Sequence, residues 1–306
     1  MKDSLWPITL TRKLSEIHSG GFSYDEEGEL GFGKGNLFEE PKALHELITL
    51  HKKNFAKNLN LYKEKLISQE PDYSEIQSNV FIHKDAHIDS SVVYNTTKGI
   101  IVIEKDVIVM PFSYLVGPLR IDEKAKVSPH SYLSGSYIGK VSNVGGEVSN
   151  SVIESYSNKA HYGYVGDSYV GSWVNIGGGS STSNLKNTYG VITMNGIKTE
   201  EQFLGSVIAD YAKIATNTSI YTGRVIGVSS FVYDKVTEDI PSFTNYISKN
   251  NFILCPLDIA ITTAKRMRVR RGIDTGDEDV AMLSYVYKQT ENERSECGAK
   301  EGKLLF

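Results

Sequence analysis

Cysteine is nearly missing from this chain. Only Cys255 and Cys297 occur, with no CxxC pair, which excludes a disulfide framework and a thiolate metal site and suits a reducing compartment. No apolar run approaches the ~18 residues that a membrane-spanning helix requires. The opening MKDSLWPITLTRKL likewise has no apolar core of a signal peptide, so a cytoplasmic protein without a membrane partner is expected. Charge of one sign is not in excess either. Lys and Arg total 33 against 37 Asp and Glu, for a net charge of −4 and a pI near 6.0, so the electrostatic footprint of a nucleic-acid binder is missing.

What the chain does have is a six-residue beat. Ile103, Val109, Leu115, Ile121, Val127 and Leu133 fall in one register, and Ile208, Ile214, Ile220, Ile226 and Val232 in another. Neither a helix nor an ordinary strand has this period. A parallel β-helix does, with three short strands per coil of about 18 residues and one side chain per strand pointing inward. The fold class expected is therefore an all-β solenoid, a left-handed parallel β-helix built from hexapeptide repeats, with helices at both ends.

Earlier members, Val80, Ala86 and Val92, belong to the same beat, and Tyr164, Val170 and Ile176 form a short run in a different phase. Each change of phase, around 139–146 and through 180–203, is expected to mark residues inserted at a corner, where repeat proteins carry binding loops. The chemistry is accordingly expected near residues 145–205. Residues 1–35 are expected as a short N-terminal segment, with a brief strand at Leu5–Leu10 and loop from Phe22 to Gly35. Residues 36–77 form a helical linker in which Leu44, Ile48, Phe55, Leu59, Tyr62 and Leu66 make an apolar stripe packed on the foot of the β-helix. The β-helix itself occupies 78–245. A helical extension fills 246–306, with helices over Pro256–Arg271 and Asp277–Glu293 and a frayed tail.

The chemistry is concentrated in one run. Gly145-Gly146-Glu147-Val148-Ser149-Asn150 leads to Asn158-Lys159-Ala160-His161-Tyr162-Gly163-Tyr164-Val165-Gly166-Asp167. Asn175-Ile176-Gly177-Gly178-Gly179 and Ser183-Asn184-Leu185-Lys186-Asn187 follow. Acyl transfer from a thioester to an amine needs the amine unprotonated, and a histidine of ordinary pKa, about 6.5, can take its proton at neutral pH. The thioester oxygen then needs a fixed donor, which a side-chain amide such as Asn184 or a backbone N–H at the glycine turns can supply. A glycine run lets an extended arm lie against backbone. The basic cluster Lys265, Arg266, Arg268, Arg270 and Arg271 reads as a helix C-terminal group facing Asp274, Asp277, Glu278 and Asp279, with a grip on coenzyme A phosphates as the other reading. The histidines at 18, 45, 51, 83, 87 and 130 have no company that suggests a site.

These motifs resemble the acetyltransferase half of the bifunctional N-acetylglucosamine-1-phosphate uridyltransferase/glucosamine-1-phosphate N-acetyltransferase family. The wording from Gly145 to Gly190 is similar to the archaeal and Bacteroidetes branch in particular, and the likeness covers about residues 78–245. It implies a homotrimer that transfers acetyl from acetyl-CoA, with no metal, to an amino-sugar 1-phosphate, most simply glucosamine 1-phosphate. It implies His161 as catalytic base, and Asn184 as holding donor and amino sugar. It implies Tyr164, Asn175, Glu147 and Lys159 at the sugar phosphate, and Gly178 and Ser206 at the acetyl donor. Ser149 and Leu185 stand where that family has a lysine and a tyrosine, so the acceptor sugar stays open. The nucleotidyltransferase domain of the family is not found, nor a GxGxR-type loop before residue 78, so uridyl transfer by this chain is not expected. A second reading follows from these departures: a non-catalytic trimeric scaffold or regulatory subunit for a separate nucleotidyltransferase.

Overall fold

The computed structural model describes residues 3–304, apart from the side chain of Leu66. Its body is a left-handed parallel β-helix. The first face stacks strands from Val80–His83 through Ile101–Ile103, Tyr169–Val170 and Val207–Ile208 to Val225–Ile226. The second runs from His87–Ile88 through Asn143–Val144, Asn158–Lys159 and Asn175–Ile176 to Lys213–Ile214, Phe231–Val232 and Thr244–Ser248. The third carries Glu147–Ser149, Tyr164–Gly166, Ser181–Thr182, Ser219–Ile220 and Lys235–Val236.

The residues of both long registers point inward and are at most 2% exposed. The early register is shifted by two. Ile82, Ile88 and Tyr94 pair with the inward Ile103, Val109 and Leu115, so Val80 and Val92 hold the neighbouring position beside the corner. The later run is also corrected at one member. Val165 pairs with the buried Val148, and Tyr164 beside it points outward, because the coil takes five steps rather than six to reach Val170.

Coil length explains the phase changes. Paired inward residues are 18 apart from Ile103 to Ile121, 17 from Ile121 to Ile138 and 15 from Ile138 to Ile153. The break near Gly139–Gly146 is thus a shortening, not an insertion. The second break is an insertion, for 38 residues separate Val170 from Ile208. Its extra chain follows Thr182 and carries the two-stranded hairpin Thr193–Met194/Ile197–Lys198. Ile192, Met194 and Leu204 bury it against the body.

The N-terminal segment differs most from expectation. Residues 5–10 form a 3₁₀ turn, Ile8–Leu10, rather than a strand, and helix α1 (Tyr24–Glu29) interrupts the expected loop. Helix α2 (Glu46–Tyr62) continues into a π-helical turn, Lys63–Ile67. The segment does not sit at the foot. It covers the outer side of the first face, where Val102, Tyr137, Val152, Tyr169 and Val207 share one buried cluster with Leu5, Ile8, Phe22, Leu47, Phe55 and Leu59. Buried charges pin it there. Arg12 contacts Glu154 at 3.3 Å and also pairs with Asp210, while Arg120 reaches Glu26 at 2.6 Å and Glu104 at 3.2 Å. His18, expected to be without company, bonds Glu154 at 2.9 Å.

The repeat persists past Pro241, since Tyr246 pairs with Val232 and points inward. Helices α3 (Leu257–Val269), α4 (Asp277–Gln289) and α5 (Glu291–Glu296) follow, and α3 lies against Tyr211, Lys213 and Phe231 of the second face. The tail is ordered at Lys300, whose N–H donates to Phe252 O at 3.1 Å. Among the described residues no helix is long and apolar enough to cross a membrane, and no group of three His, Cys, Asp or Glu side chains is placed to hold a metal ion.

Candidate active site

The corner between the second and third faces has one backbone demand repeated in the coils from Val109 to Val232: a residue with positive φ. Phe112, His130, Asn217 and Asp234 meet it in the αL region, with φ of 61°, 56°, 56° and 56°. In three consecutive coils the same place is glycine instead, Gly146, Gly163 and Gly179. Gly163, at φ 124°, holds a conformation that side-chain-bearing residues rarely adopt, whereas Gly146 and Gly179, at 68° and 78°, lie nearer the values that larger residues hold in the other coils. Space is short as well. A Cβ on Gly163 would stand 2.2 Å from Ser180 O, and one on Gly179 would stand 2.1 Å from Asn217 Oδ1.

His161 and Tyr162 protrude from the middle of these stripped turns, both exposed, with Tyr162 71% exposed. Gly178 lies directly beside the histidine, so that a Cβ there would be 3.3 Å from His161 Cβ. The N–H of Gly179 donates to Tyr162 O at 2.9 Å and that of Asn217 to Gly178 O at 2.9 Å. The intervening N–H of Gly178 donates to no carbonyl among the described residues. An imidazole in solvent reach beside a free backbone donor can accept a proton and hold a developing negative oxygen.

Lys159 is inside, not at the surface. It fills the inward position between Val144 and Ile176, is 2% exposed, and donates from Nζ to Gly145 O at 2.8 Å and to His161 O at 2.5 Å. Burial pulls its ammonium down to about 8. The expected contact with a sugar phosphate is therefore not made by this side chain as it sits. Its bonds instead hold the chain on either side of the histidine.

Tyr164 and Glu147 are neighbours on the third face, paired across adjacent strands. The Tyr164 hydroxyl accepts from Asn184 Nδ2 at 2.9 Å, and the second Asn184 N–H goes to Asp167 Oδ2 at 2.6 Å. Burial, reinforced by Asp167 and Glu147, pushes the Tyr164 hydroxyl up to about 12. Both donors of Asn184 are thus committed within the chain, which leaves its amide oxygen as the free group among the described residues. Asp167 also meets Lys52 of α2 at 2.9 Å, and Lys52 donates to Phe203 O at 3.2 Å. The covering segment, the insertion and the third face meet at this point.

Two expected residues lie elsewhere. Ser206 is fully buried, with its hydroxyl on Tyr221 O at 3.3 Å and its N–H on Ser168 Oγ at 3.0 Å. Asn175 lies on the outer side of the second face, accepting from Asn158 Nδ2 at 3.0 Å, and lines a cavity away from Tyr164 and Asn184. Sequence reasoning missed Gly146 and Gly163 as partners of Gly179, although their spacing matches the coil length. It also missed Lys52, a helix-surface lysine with no signal in its surroundings.

No protein-family model matches the chain, and no curated protein matches it. Solved structures do. The acetyltransferase domain of PglB from Neisseria gonorrhoeae is 14% identical, over 60% of this chain and 59% of that one, with a TM-score of 0.23. UDP-N-acetylglucosamine acyltransferase from Francisella novicida is 17% identical over 71% and 78%, with a TM-score of 0.30. The N-acyltransferase AntD from Bacillus cereus, solved with dTDP and 3-hydroxybutyryl-CoA, is 16% identical over 63% and 89%, with a TM-score of 0.27. The chain spans only about three fifths of the length of the PglB domain. The case for a site stands on the corner itself.

Proposed function

We propose that the chain is an acyl-CoA-dependent N-acyltransferase acting on an amino-sugar phosphate, with acetyl-CoA and glucosamine 1-phosphate as the simplest pair. The observation that carries the reading is the position of His161, exposed between turns whose side chains have been removed in three successive coils. In this reading His161 takes the proton from the attacking amine. The nitrogen lone pair adds to the thioester carbonyl, the Gly178 N–H receives the oxyanion, and collapse expels the coenzyme A thiolate, which is reprotonated. The stripped turns let the thin acyl-carrying arm pass along backbone. Tyr164, Glu147 and the Asn184 oxygen line the third-face side, where the acceptor's hydroxyls would be held. A trimer, with a neighbour closing the corner, belongs to the same proposal.

The test is release of free thiol from acetyl-CoA by the purified protein when it is given glucosamine 1-phosphate, other amino-sugar phosphates, or nucleotide-linked amino sugars. Thiol release that depends on the acceptor supports the reading. No release with any amino sugar, from protein that is folded and trimeric, favours the non-catalytic scaffold.

A further inference from the structure

A cavity lies between the second face and the C-terminal end of α3. It holds about 330 Å³ and is lined by Asn143, Asn158, Asn175, Lys213, Arg270 and Arg271, with the rings of Tyr156 and Trp173 at its side. Arg270 and Arg271 line it and no carboxylate does, among the described residues, while Lys213 donates from Nζ to Trp173 O at 3.2 Å and to Tyr211 O, and burial pulls its ammonium down to about 7. The basic cluster was expected to face a row of acids, yet only Arg268 does so, pairing with Asp279 at 3.0 Å. Arg270 and Arg271 make no ion pair among the described residues. Burial and the charge of Arg270 both pull the Arg271 guanidinium down. A helix C-terminus supplies roughly half a negative charge, which is too little to offset two arginines. Asp210, an acid whose charge acts on Lys213, is already taken by Thr11, Arg12 and the Ser172 N–H.

The other wall is a ladder of side-chain amides. Asn143 lies 3.2 Å from Asn158, Asn158 Nδ2 donates to Asn175 Oδ1 at 3.0 Å, and the Asn143 amide lies 3.2 and 3.3 Å from the two terminal nitrogens of Arg271. Tyr156 and Trp173 stack with centroids 4.4 Å apart and planes at 4°. Cations for an anion, amides for hydroxyl or carbonyl groups and a flat aromatic edge are the elements of a phosphorylated-sugar site.

We propose that this cavity binds the phosphate of a phosphorylated sugar, placed at Arg270 and Arg271, with the sugar body read by the asparagine ladder. Free sugar phosphates and the ribose phosphate of nucleotides share this chemistry. The site is separate from the His161 corner and does not rest on the acyl-transfer reading.

Titration calorimetry with glucose 1-phosphate, UMP, 3′,5′-ADP, inorganic phosphate and glucose tests it on three proteins: the parent, His161→Ala, and the double variant Arg270→Gln/Arg271→Gln. Both arginines reach solvent, so the double variant should melt like the parent. At least one of the three sugar-bearing phosphates should bind the parent about tenfold or more tighter than inorganic phosphate, and glucose should not bind. Which of the three binds identifies the source. His161→Ala should bind as the parent does, and the double variant about tenfold or more weakly. The proposal fails if no sugar phosphate binds below about 10 mM, if inorganic phosphate matches them all, if the double variant is unaffected, or if His161→Ala abolishes binding. Thiol release measured on the double variant keeps the two sites apart, because loss of phosphate binding with transfer intact is expected.

Discussion

From inside the coil, the Lys159 ammonium donates to the backbone oxygen of His161 at 2.5 Å. A core lysine thus shapes the turn that carries the exposed histidine. Its second bond, to Gly145 O in the coil before, ties that turn to the glycine pair on one side of it.

This arrangement has a pH signature. With the folded pKa near 8, below the ordinary value of about 10.4, the charged lysine destabilises the fold at neutral pH. The unfolded chain binds the extra proton between these two values, so stability rises with pH across that window. Lys159→Met should show no such rise. Denaturant midpoints at pH 7 and pH 10 should therefore shift in favour of the parent, by at most about 3 kcal/mol. An unchanged gap would mean that the amine is not enclosed.

The N-terminal segment bears on stability in the opposite direction. Burial lowers the pKa of His18, but Glu154 and Glu26 overcome this and raise it to about 9. The contribution is fully present below the unfolded value of about 6.5 and is lost as pH rises through 9, about 3 kcal/mol in all. Parent protein should lose stability from pH 7 to pH 9.5 relative to His18→Gln. Removal of residues 1–35 should be worse than neutral, since it strips the partners from Glu154, Asp210 and Arg120, and orphaned buried charges cost several kcal/mol each. Well-folded, fully active protein starting near Asn36 would overturn this.

The core of the solenoid could be read from sequence because stacking is strict. Ile103 to Leu133 must recur every six residues, and nothing else produces that beat. Tyr164 was misassigned for the same reason, since a coil shortened by one residue moved Val165 into its place. The cover on the first face escaped notice because it depends on the outward column of Val102, Tyr137, Tyr169 and Val207, whose spacing follows the coil and not the hexapeptide. Lys159 falls six residues after Ile153 and six before Val165, yet a lysine in a core register reads as a miss until its two carbonyl partners are seen. His161 and its glycines were visible as a motif. The commitment of both Asn184 donors to Tyr164 and Asp167 was not, since it requires the insertion to fold back.

His161→Ala removes only an exposed ring, so the melting temperature should hold within a few degrees while kcat for acyl transfer falls roughly 10²–10⁴-fold. Acetyl-CoA affinity, measured separately by calorimetry, should change little, because the donor would rest on backbone. Turnover near the parental value at pH 7.5 would place the base elsewhere.

Two adjacent glycines separate folding from function at this corner. Gly178 is not in the left-handed region, and an added Cβ would meet His161 Cβ at 3.3 Å, a contact that a shift of a few tenths of an ångström relieves. Gly178→Ala should therefore fold, with a loss of stability of about 1 kcal/mol or less. The new methyl group would nevertheless occupy the strip of bare backbone beside the histidine, where the acyl donor would lie. Activity should fall at least tenfold, chiefly through a higher KM for acetyl-CoA, with the histidine itself unaltered. Gly179 has φ +78°, and its Cβ would stand 2.1 Å from Asn217 Oδ1 and 3.0 Å from the Tyr162 hydroxyl. Gly179→Ala should lose stability first, by about 1–3 kcal/mol from backbone strain alone, and activity along with it. Thermal melts beside KM and kcat for both variants provide the comparison. If Gly178→Ala is as active as the parent, the donor does not pass this turn, and the corner loses its assigned part in acyl transfer.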